Sequence, residues 1–398
     1  MEARVKIWVK WAVVVCVLSF LVTGVVAAQE AKLPNPEKID NISLKNEIQH
    51  AIERGLRWLH TKQDEKGFWS QPDHPALTGL VLTAFMGEPT GQFKSNPPGY
   101  ITKGYEYLLQ CVRPDGGIYV KDLPNYNTSV SMMAFLVSYN PTYEPILRKA
   151  RNFVVGLQYD LNESGKVDNP YSGGIGYGSD PTHSDMSNTM FALEALYYTK
   201  FITTDTGPSN VEMKELNWQA ALKFIQRCQN LPGSNDQAWA SDDPQNKGGF
   251  IYFPGDSKAG TMELPSGKTA LRSYASISYA GLLSYIYADL DREDPRVKAV
   301  FDWLKKNYTL EENPGMGPQG LYYCYHTMAK ALSAYGVNSL VLDDGKEVNW
   351  RKELALKLLN LQNADGYWVN ENGRWWEKDP VLVTSYAAIV LETLYKGL

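Results

Sequence analysis

The stretch Ile48–Met86, IQHAIERGLRWLHTKQDEKGFWSQPDHPALTGLVLTAFM, decides the fold. In its first half Ile48, Ile52, Leu56 and Leu59 recur at three- and four-residue steps, with Trp58 beside them, which is the pattern of an amphipathic helix. A turn follows at Lys66-Gly67-Phe68-Trp69. From Leu77 to Met86 the chain is apolar with too little polar periodicity for a surface helix, so this part reads as a helix buried on all sides. One unit is therefore an amphipathic outer helix, a Gly-aromatic turn and an apolar inner helix.

The unit recurs along the chain. Its turn is visible as Gly67/Trp69, Gly117/Tyr119, Gly174/Tyr177, Gly249/Tyr252, Gly320/Tyr322 and Gly366/Trp368. Each inner helix opens with a hydroxyl residue followed by an apolar run, at Thr78, Thr128, Thr189, Ser276, Thr327 and Thr384. A unit repeated this often buries its apolar face against its neighbours. The last inner segment, Ser385-Tyr386-Ala387-Ala388-Ile389-Val390-Leu391, is as apolar as the others, and a terminal repeat without a polar cap favours closure over an open solenoid. The expected fold is all-α, an (α/α)6 toroid in which six helical hairpins close into a barrel.

The 398 residues suffice for one large core or two ordinary domains, and the continuous repeats select one, over residues 47–398. Upstream, a basic n-region at Arg4, Lys6 and Lys10, an apolar run from Trp11 and small residues at Val26 and Ala28 read as a signal peptide over residues 1–28. Residues 29–46 read as a lead-in. The expected location is extracytoplasmic, periplasmic or secreted, without stable membrane insertion once the signal is removed. The formal charge of −5 moves toward −7 on that cleavage, and no basic cluster suits phosphate, so nucleic acid is not an expected partner. Cys111, Cys228 and Cys324 remain in the mature chain, an odd and widely spaced trio that makes neither a disulfide framework nor a CxxC metal pattern.

Several local features invite a functional reading. The glycine-rich turn Ser172–Gly178 lacks the preceding strand that a dinucleotide fingerprint needs. The insertion from Leu231 to Arg272 is long enough for a functional loop such as a lid, and equally reads as a merely mobile one. Asp289–Pro295 has the mixed charges of a solvated helix end. Cys324-Tyr325-His326 sits at the mouth of an inner helix, but two ligands do not make a metal site.

The string Arg54-Gly55-x-x-Trp58-Leu59-x3-Gln63-x3-Gly67-x-Trp69 resembles the QW motif of squalene and hopene cyclases, and its Gln-to-Trp half returns at Gln362–Trp368. Over residues 48–396 the chain resembles the terpenoid-cyclase and protein-prenyltransferase superfamily, in particular bacterial proteins with prenyltransferase and squalene-oxidase repeats. The resemblance implies an α-toroid whose central cavity holds an isoprenoid chain, and an enzyme of transferase or cyclase type if the chain is catalytic. The Asp-x-Asp-Asp and Asp-Cys-Thr-Ala strings of the cyclases are absent. Tyr325-His326-Thr327 is similar to the prenyltransferase zinc motif, but Arg272 and Tyr274 stand where its Asp and Cys would be, so neither a metal nor another cofactor is expected.

Aligning the inner helices on their opening hydroxyls brings Asn127, Asn188, Ala275, His326 and Val383 to one level, with Tyr126, Ser187, Tyr274 and Tyr325 one step before. In a closed ring this level is one mouth of the cavity. The expected ligand site is His326 and Asp185 for proton transfer, with Asn127, Asn188, Tyr274, Tyr325 and Arg272 for binding. The expected ligand is an apolar small molecule or lipid. Two other functions compete with it: a non-catalytic toroid that binds lipid or protein, and a glycan-active (α/α)6 enzyme using paired carboxylates.

Overall fold

The computed structural model describes residues 36–159, 169–178, 183–204 and 212–398, with side chains from 41 onward. The stretch read as a signal peptide, with its cut after Ala28, lies outside the described residues. Residues 41–398 form one compact unit. Among the described residues no helix is long and apolar enough to cross a membrane.

The chain is mainly helical. Outer helices α1 (Pro36–His60), α4 (Gly99–Gln110), α6 (Glu144–Gly156), α8 (Trp218–Arg227), α10 (Pro295–Lys306) and α12 (Trp350–Leu361) alternate with inner helices. The inner set is α2 (Pro75–Gly87), α5 (Pro124–Val137), α7 (Met186–Tyr198), α9 (Ala275–Tyr287), α11 (Leu321–Tyr335) and α13 (Pro380–Gly397); a short α3 (Gln92–Ser95) follows α2. Helix α1 takes in the second half of the stretch read as lead-in. Two small antiparallel hairpins, β1 (Thr261–Glu263) with β2 (Thr269–Leu271) and β3 (Leu340–Val341) with β4 (Glu347–Val348), decorate the long insertion and the loop after α11.

The sequence explains this sorting. Helix α2 carries no charge and opens with Pro75, whose missing N–H costs nothing at a helix start. Helix α8 instead has one buried stripe, Ala220, Ala221, Phe224 and Ile225, with Lys223 and Gln226 between. Each inner helix packs on the next, α2 on α5, then α7, α9, α11 and α13, and α13 packs on α2.

A staple glutamine ties the first, third, fourth and sixth hairpins to their successors. Gln63 Nε2 donates to the carbonyl of its own turn glycine, Gly67 (2.9 Å), and to Tyr100 O in the next outer helix (2.8 Å). Gln158 and Gln229 repeat the pair onto Asn217 O and Arg296 O, both at 2.9 Å. Gln362 completes it on Gly366 O (2.8 Å) and Ala51 O of the first outer helix (2.9 Å). The indole works separately: Trp69 and Trp368 are fully buried and donate to Leu59 O (2.7 Å) and Leu358 O (2.8 Å) in their own outer helices. Gly366 holds φ +99°, and a Cβ there would lie 2.7 Å from Arg54 O, so the turn needs glycine. The second and fifth hairpins depart from the rule: Val112 takes the Gln place in the second, and in the fifth Tyr308 does, with its hydroxyl on Glu353 of α12 (3.0 Å).

The opening hydroxyls have a defined task. Thr78, Thr128, Thr189 and Thr384 accept the turn N–H of Trp69, Ile118, Ile175 and Trp368 at 2.9 to 3.0 Å. In the fourth hairpin Ser278 does this for Phe250 (2.9 Å), so the alignment on Ser276 is two residues early and Ile277, not Ala275, matches Asn127 and Asn188.

Candidate functional site

Asp185 stands immediately before α7. Its Oδ1 accepts the Asn188 N–H (2.9 Å) and its Oδ2 accepts Asn188 Nδ2 (2.8 Å), the geometry of a helix N-cap. Capping does not exhaust its environment. The side chain is almost fully buried, and burial pushes the carboxyl up to about 6 against hydrogen bonds from Asn188, Tyr252 and the Ser187 N–H that favour the charged form. The Tyr252 hydroxyl lies 3.1 Å from that of Tyr177. Tyr274, the residue before α9, is buried, and its hydroxyl is held well above the ordinary phenol range by desolvation first and then by the charges near it, among them Asp185 and Asp256.

Beyond this cluster four aromatic rings from four inner helices meet in a closed circuit. Tyr126 of α5 meets Phe191 of α7 edge-on with centroids 5.0 Å apart. Phe191 reaches Tyr323 of α11 at 6.2 Å, and Tyr323 reaches Tyr386 of α13 at 6.3 Å. The hydroxyls of Tyr386 and Tyr126 close the circuit at 3.4 Å. Ser187 Oγ hydrogen-bonds the Tyr323 hydroxyl at 3.0 Å and so joins the Asp185 cap to the collar. Tyr126, Ser187 and Tyr323 are half-buried, whereas Phe191 and Tyr386 are buried.

His326 lies one turn beyond Tyr323 on α11, its ring 4.7 Å from that of Tyr386. It is 1% exposed, and neither ring nitrogen has a hydrogen-bond partner among the described residues. Desolvation, with help from Lys330, lowers its pKa well below the usual value, which keeps the imidazole neutral. One turn further, Lys330 pairs with Glu194 of α7 at 2.6 Å.

The expected site residues thus divide. Asp185, Asn188 and Tyr274 share one neighbourhood, and the chain Ser187–Tyr323–Tyr386 links it to His326. Asn127 is engaged elsewhere: its Oδ1 accepts the Ala76 N–H at the start of α2 (3.0 Å) and its Nδ2 donates to Asp122 O (2.8 Å). The Tyr325 hydroxyl donates to Leu310 O in a fully buried position. Arg272 is exposed, just after β2 in the insertion. Sequence reasoning missed Phe191, Tyr323 and Tyr386 of the aromatic circuit, and missed the Glu194–Lys330 pair. Their signal was available, since Ser187/Phe191/Glu194 and Tyr323/His326/Lys330 fall on one helical face at steps of three and four.

A zinc centre of the prenyltransferase kind does not fit these residues. Tyr274 and exposed Arg272 offer no second or third ligand, and His326 faces the Tyr386 ring rather than a carboxylate or thiolate. Among the described residues no three His, Cys, Asp or Glu side chains come together to hold a metal.

No protein-family model matches this sequence, and no curated protein matches it either. Solved structures do match. The apo type II terpene cyclase MstE from Scytonema superposes with a TM-score of 0.52 at 11% identity, over 89% of this chain and 99% of that one. The chain has a terpenoid-cyclase-like fold. A variant of that cyclase in complex with its substrate geranylgeranyl dihydroxybenzoate gives 0.51 at 10% identity over 90% and 100% of the two chains. The GH76 α-mannanase of Bacteroides thetaiotaomicron also gives 0.51, at 12% identity over 88% and 96%. At such identities the likeness is one of helical-toroid architecture.

Proposed function

We propose that residues 47–398 form a closed (α/α)6 toroid that acts outside the cytoplasm after loss of residues 1–28, and that binds and transforms an apolar, isoprenoid-like molecule along its axis. Two observations support closure: α13 packs on α2, and Gln362 bonds the first outer helix as Gln63 bonds the second. The single observation that carries the ligand class is the collar Tyr126–Phe191–Tyr323–Tyr386. Four rings from four helices offer apolar area and π faces where a hydrocarbon chain would run. Asp185, with a carboxyl near 6, suits general acid–base work on an oxygen close to neutral pH. It is too weak an acid to protonate an isolated alkene, in keeping with the missing Asp-x-Asp-Asp string.

The glycan reading has one specific observation in its favour. The charges of Asp185 and Asp256 both bear on the Tyr274 hydroxyl, after desolvation and Tyr323, and glycoside hydrolysis uses a pair of carboxyls. Saturation binding decides between them. The purified mature chain is titrated with geranylgeraniol and with a mannooligosaccharide by calorimetry, and its organic extract is analysed by mass spectrometry. The expected result is saturable isoprenoid binding that weakens at least tenfold in Phe191→Ala and Tyr323→Ala. Binding of the oligosaccharide alone, lost in Asp185→Asn, would overturn the apolar reading.

A further inference from the structure

We infer that the polar end of the ligand is an uncharged hydroxyl group paired with His326, and not a diphosphate. This rests on the apolar-ligand reading above and specifies its head group. His326 is the one side chain beside the collar that is both sealed from solvent and left without a hydrogen bond at either nitrogen among the described residues. A buried polar group in that condition is costly unless something pairs with it. The imidazole is neutral, so it presents one N–H donor and one bare nitrogen acceptor. A hydroxyl both donates and accepts, and can pair with either nitrogen in either tautomer. A phosphate oxygen can only accept, which restricts it to the N–H side and gives it no counter-charge there.

The surrounding charges argue the same way. Lys330, one turn from His326, is already neutralised by Glu194 at 2.6 Å. Asp185 adds negative charge on the Ser187 side of the collar when ionised. Of the cations near the Asp185 cluster, Lys258 sits over Tyr252 and Phe253 and pairs with Asp256, and Arg374 sits over Trp375 and donates to Gln319. A diphosphate would enter a tyrosine-rich setting whose named charges cancel, with no pair of Arg or Lys side chains placed as a clamp. Tyr126, Ser187 and Tyr323 are half-buried residues, and their neutral hydroxyls, with that of Tyr386, stand between the Asp185 cap and His326.

The test compares three probes on the full mature chain: geranylgeraniol, geranylgeranyl diphosphate and the hydrocarbon squalene, each titrated by calorimetry against wild type, His326→Phe and His326→Gln. Geranylgeraniol should bind wild type about tenfold more tightly than either other probe, the worth of roughly one hydrogen bond to a buried partner. His326→Phe should bring the alcohol down about tenfold, to the level of squalene, while leaving squalene unchanged, which also reports that the variant is folded. His326→Gln keeps a donor and an acceptor and should hold the alcohol within about threefold of wild type. Tighter binding of the diphosphate, or an equal loss for alcohol and hydrocarbon in His326→Phe, overturns the head-group assignment and leaves the apolar reading standing. Failure of all three probes to bind wild type overturns both.

Discussion

The outer wall of this protein and its axis use polar groups in opposite ways. In the wall each staple glutamine, Gln63, Gln158, Gln229 and Gln362, spends both N–H groups of its amide on two carbonyls, one in its own turn and one in the next outer helix. At the axis His326 leaves both nitrogens unpaired among the described residues, Asn188 leaves its Oδ1 unpaired, and Asp185 holds its proton to about pH 6. A satisfied polar group stabilises and fixes register, whereas a buried unsatisfied one costs stability. The staple glutamines serve folding, whereas His326 and Asp185 carry features that folding alone would not select; on the outer helices Arg151 and Arg351 each leave Nε unpaired among the described residues and bond through Nη1. The comparison can be broken by substitution, because wall changes should destabilise and axial changes should not.

The largest effect is expected from the wall. Trp368 is fully buried, donates to Leu358 O, and packs so closely on the first outer helix that a Cβ at Gly55 would lie 2.9 Å from its ring. Trp368→Ala should lower unfolding free energy by about 4 kcal/mol in chemical denaturation, since it removes a large side chain at the junction of the last and first hairpins. Gly366→Ala should add its own loss of at least about 1 kcal/mol through its left-handed backbone and the contact with Arg54 O. If Trp368→Ala is nearly neutral, that junction is not the stability centre argued for here.

The next effect is at the axis and has the opposite sign at neutral pH. The Asp185 pKa is raised from 3.8 to about 6 on folding, chiefly by burial. The folded chain therefore holds this proton more tightly than the unfolded chain. The resulting stability is fully present below about pH 4 and is lost as pH rises through 6. A shift of about two units corresponds to roughly 3 kcal/mol. Asp185→Asn keeps a good N-cap residue and removes the ionisation. It should match wild type near pH 4 and exceed it by up to about 3 kcal/mol at pH 7, read from urea melts at both values. A difference that is the same at the two pH values would mean that Asp185 is an ordinary solvated cap.

How much of this was legible in the sequence follows the same division. The wall was legible in the first and sixth hairpins, where a Gln, a left-handed Gly and a Trp at fixed spacing form a local code; in the second, third and fourth the left-handed glycines are Gly116, Gly173 and Gly248, one residue before those the sequence pattern marks. Even so, the wall reading slipped in the fourth hairpin, where Ser276 and Ser278 stand two apart and only the Phe250 N–H shows which one takes the turn's bond. In the fifth, Gly320 read as the turn glycine, yet it is the residue before α11 in a left-handed conformation, and Tyr308 replaces the Gln. The axis was legible only in part. Equal height around a ring can be counted from sequence, which selected Asp185, Asn188 and His326, whereas Tyr274 entered through the slipped Ser276 register and stands, counted from Ser278, at the level of Asp185. Azimuth cannot be counted so easily, and it turns Asn127 toward the start of α2 and Tyr325 toward Leu310 while Tyr323 and Tyr386 meet ring to ring. Charged residues inside otherwise apolar inner helices, Glu194 and Lys330, were the unused clue, since such residues are buried only when paired.

A smaller wall effect tests the closing junction by itself. Gln362→Ala removes two hydrogen bonds and leaves Ala51 O and Gly366 O without their donor. The expected loss is about 2 kcal/mol, at roughly 1 kcal/mol for each bond. Gln63→Ala, at an interior junction, should lose a similar amount because its two bonds have the same geometry. Equal losses support a ring in which the last junction resembles the others. A negligible loss at Gln362 beside a full loss at Gln63 would mean that the sixth and first hairpins separate easily in solution.

The smallest effect is the sharpest test of the contrast, since it asks for a gain. His326→Phe replaces a neutral ring by one of similar shape in a position that is 1% exposed and already faces the Tyr386 ring at 4.7 Å. In the wall, removing a polar group breaks bonds. Here there are no bonds among the described residues to break, and the substitution removes two buried polar atoms whose desolvation is uncompensated. Thermal and urea melts of the ligand-free chain should show His326→Phe more stable than wild type by about 1 kcal/mol, reduced by whatever strain the slightly larger ring introduces. Addition of geranylgeraniol should then reverse the order, raising the melting temperature of wild type and not that of the variant, because a ligand stabilises only in proportion to its affinity for the folded state. A variant that is less stable than wild type without ligand would show that His326 serves the fold through its nitrogens, and the axis would then differ from the wall only in position.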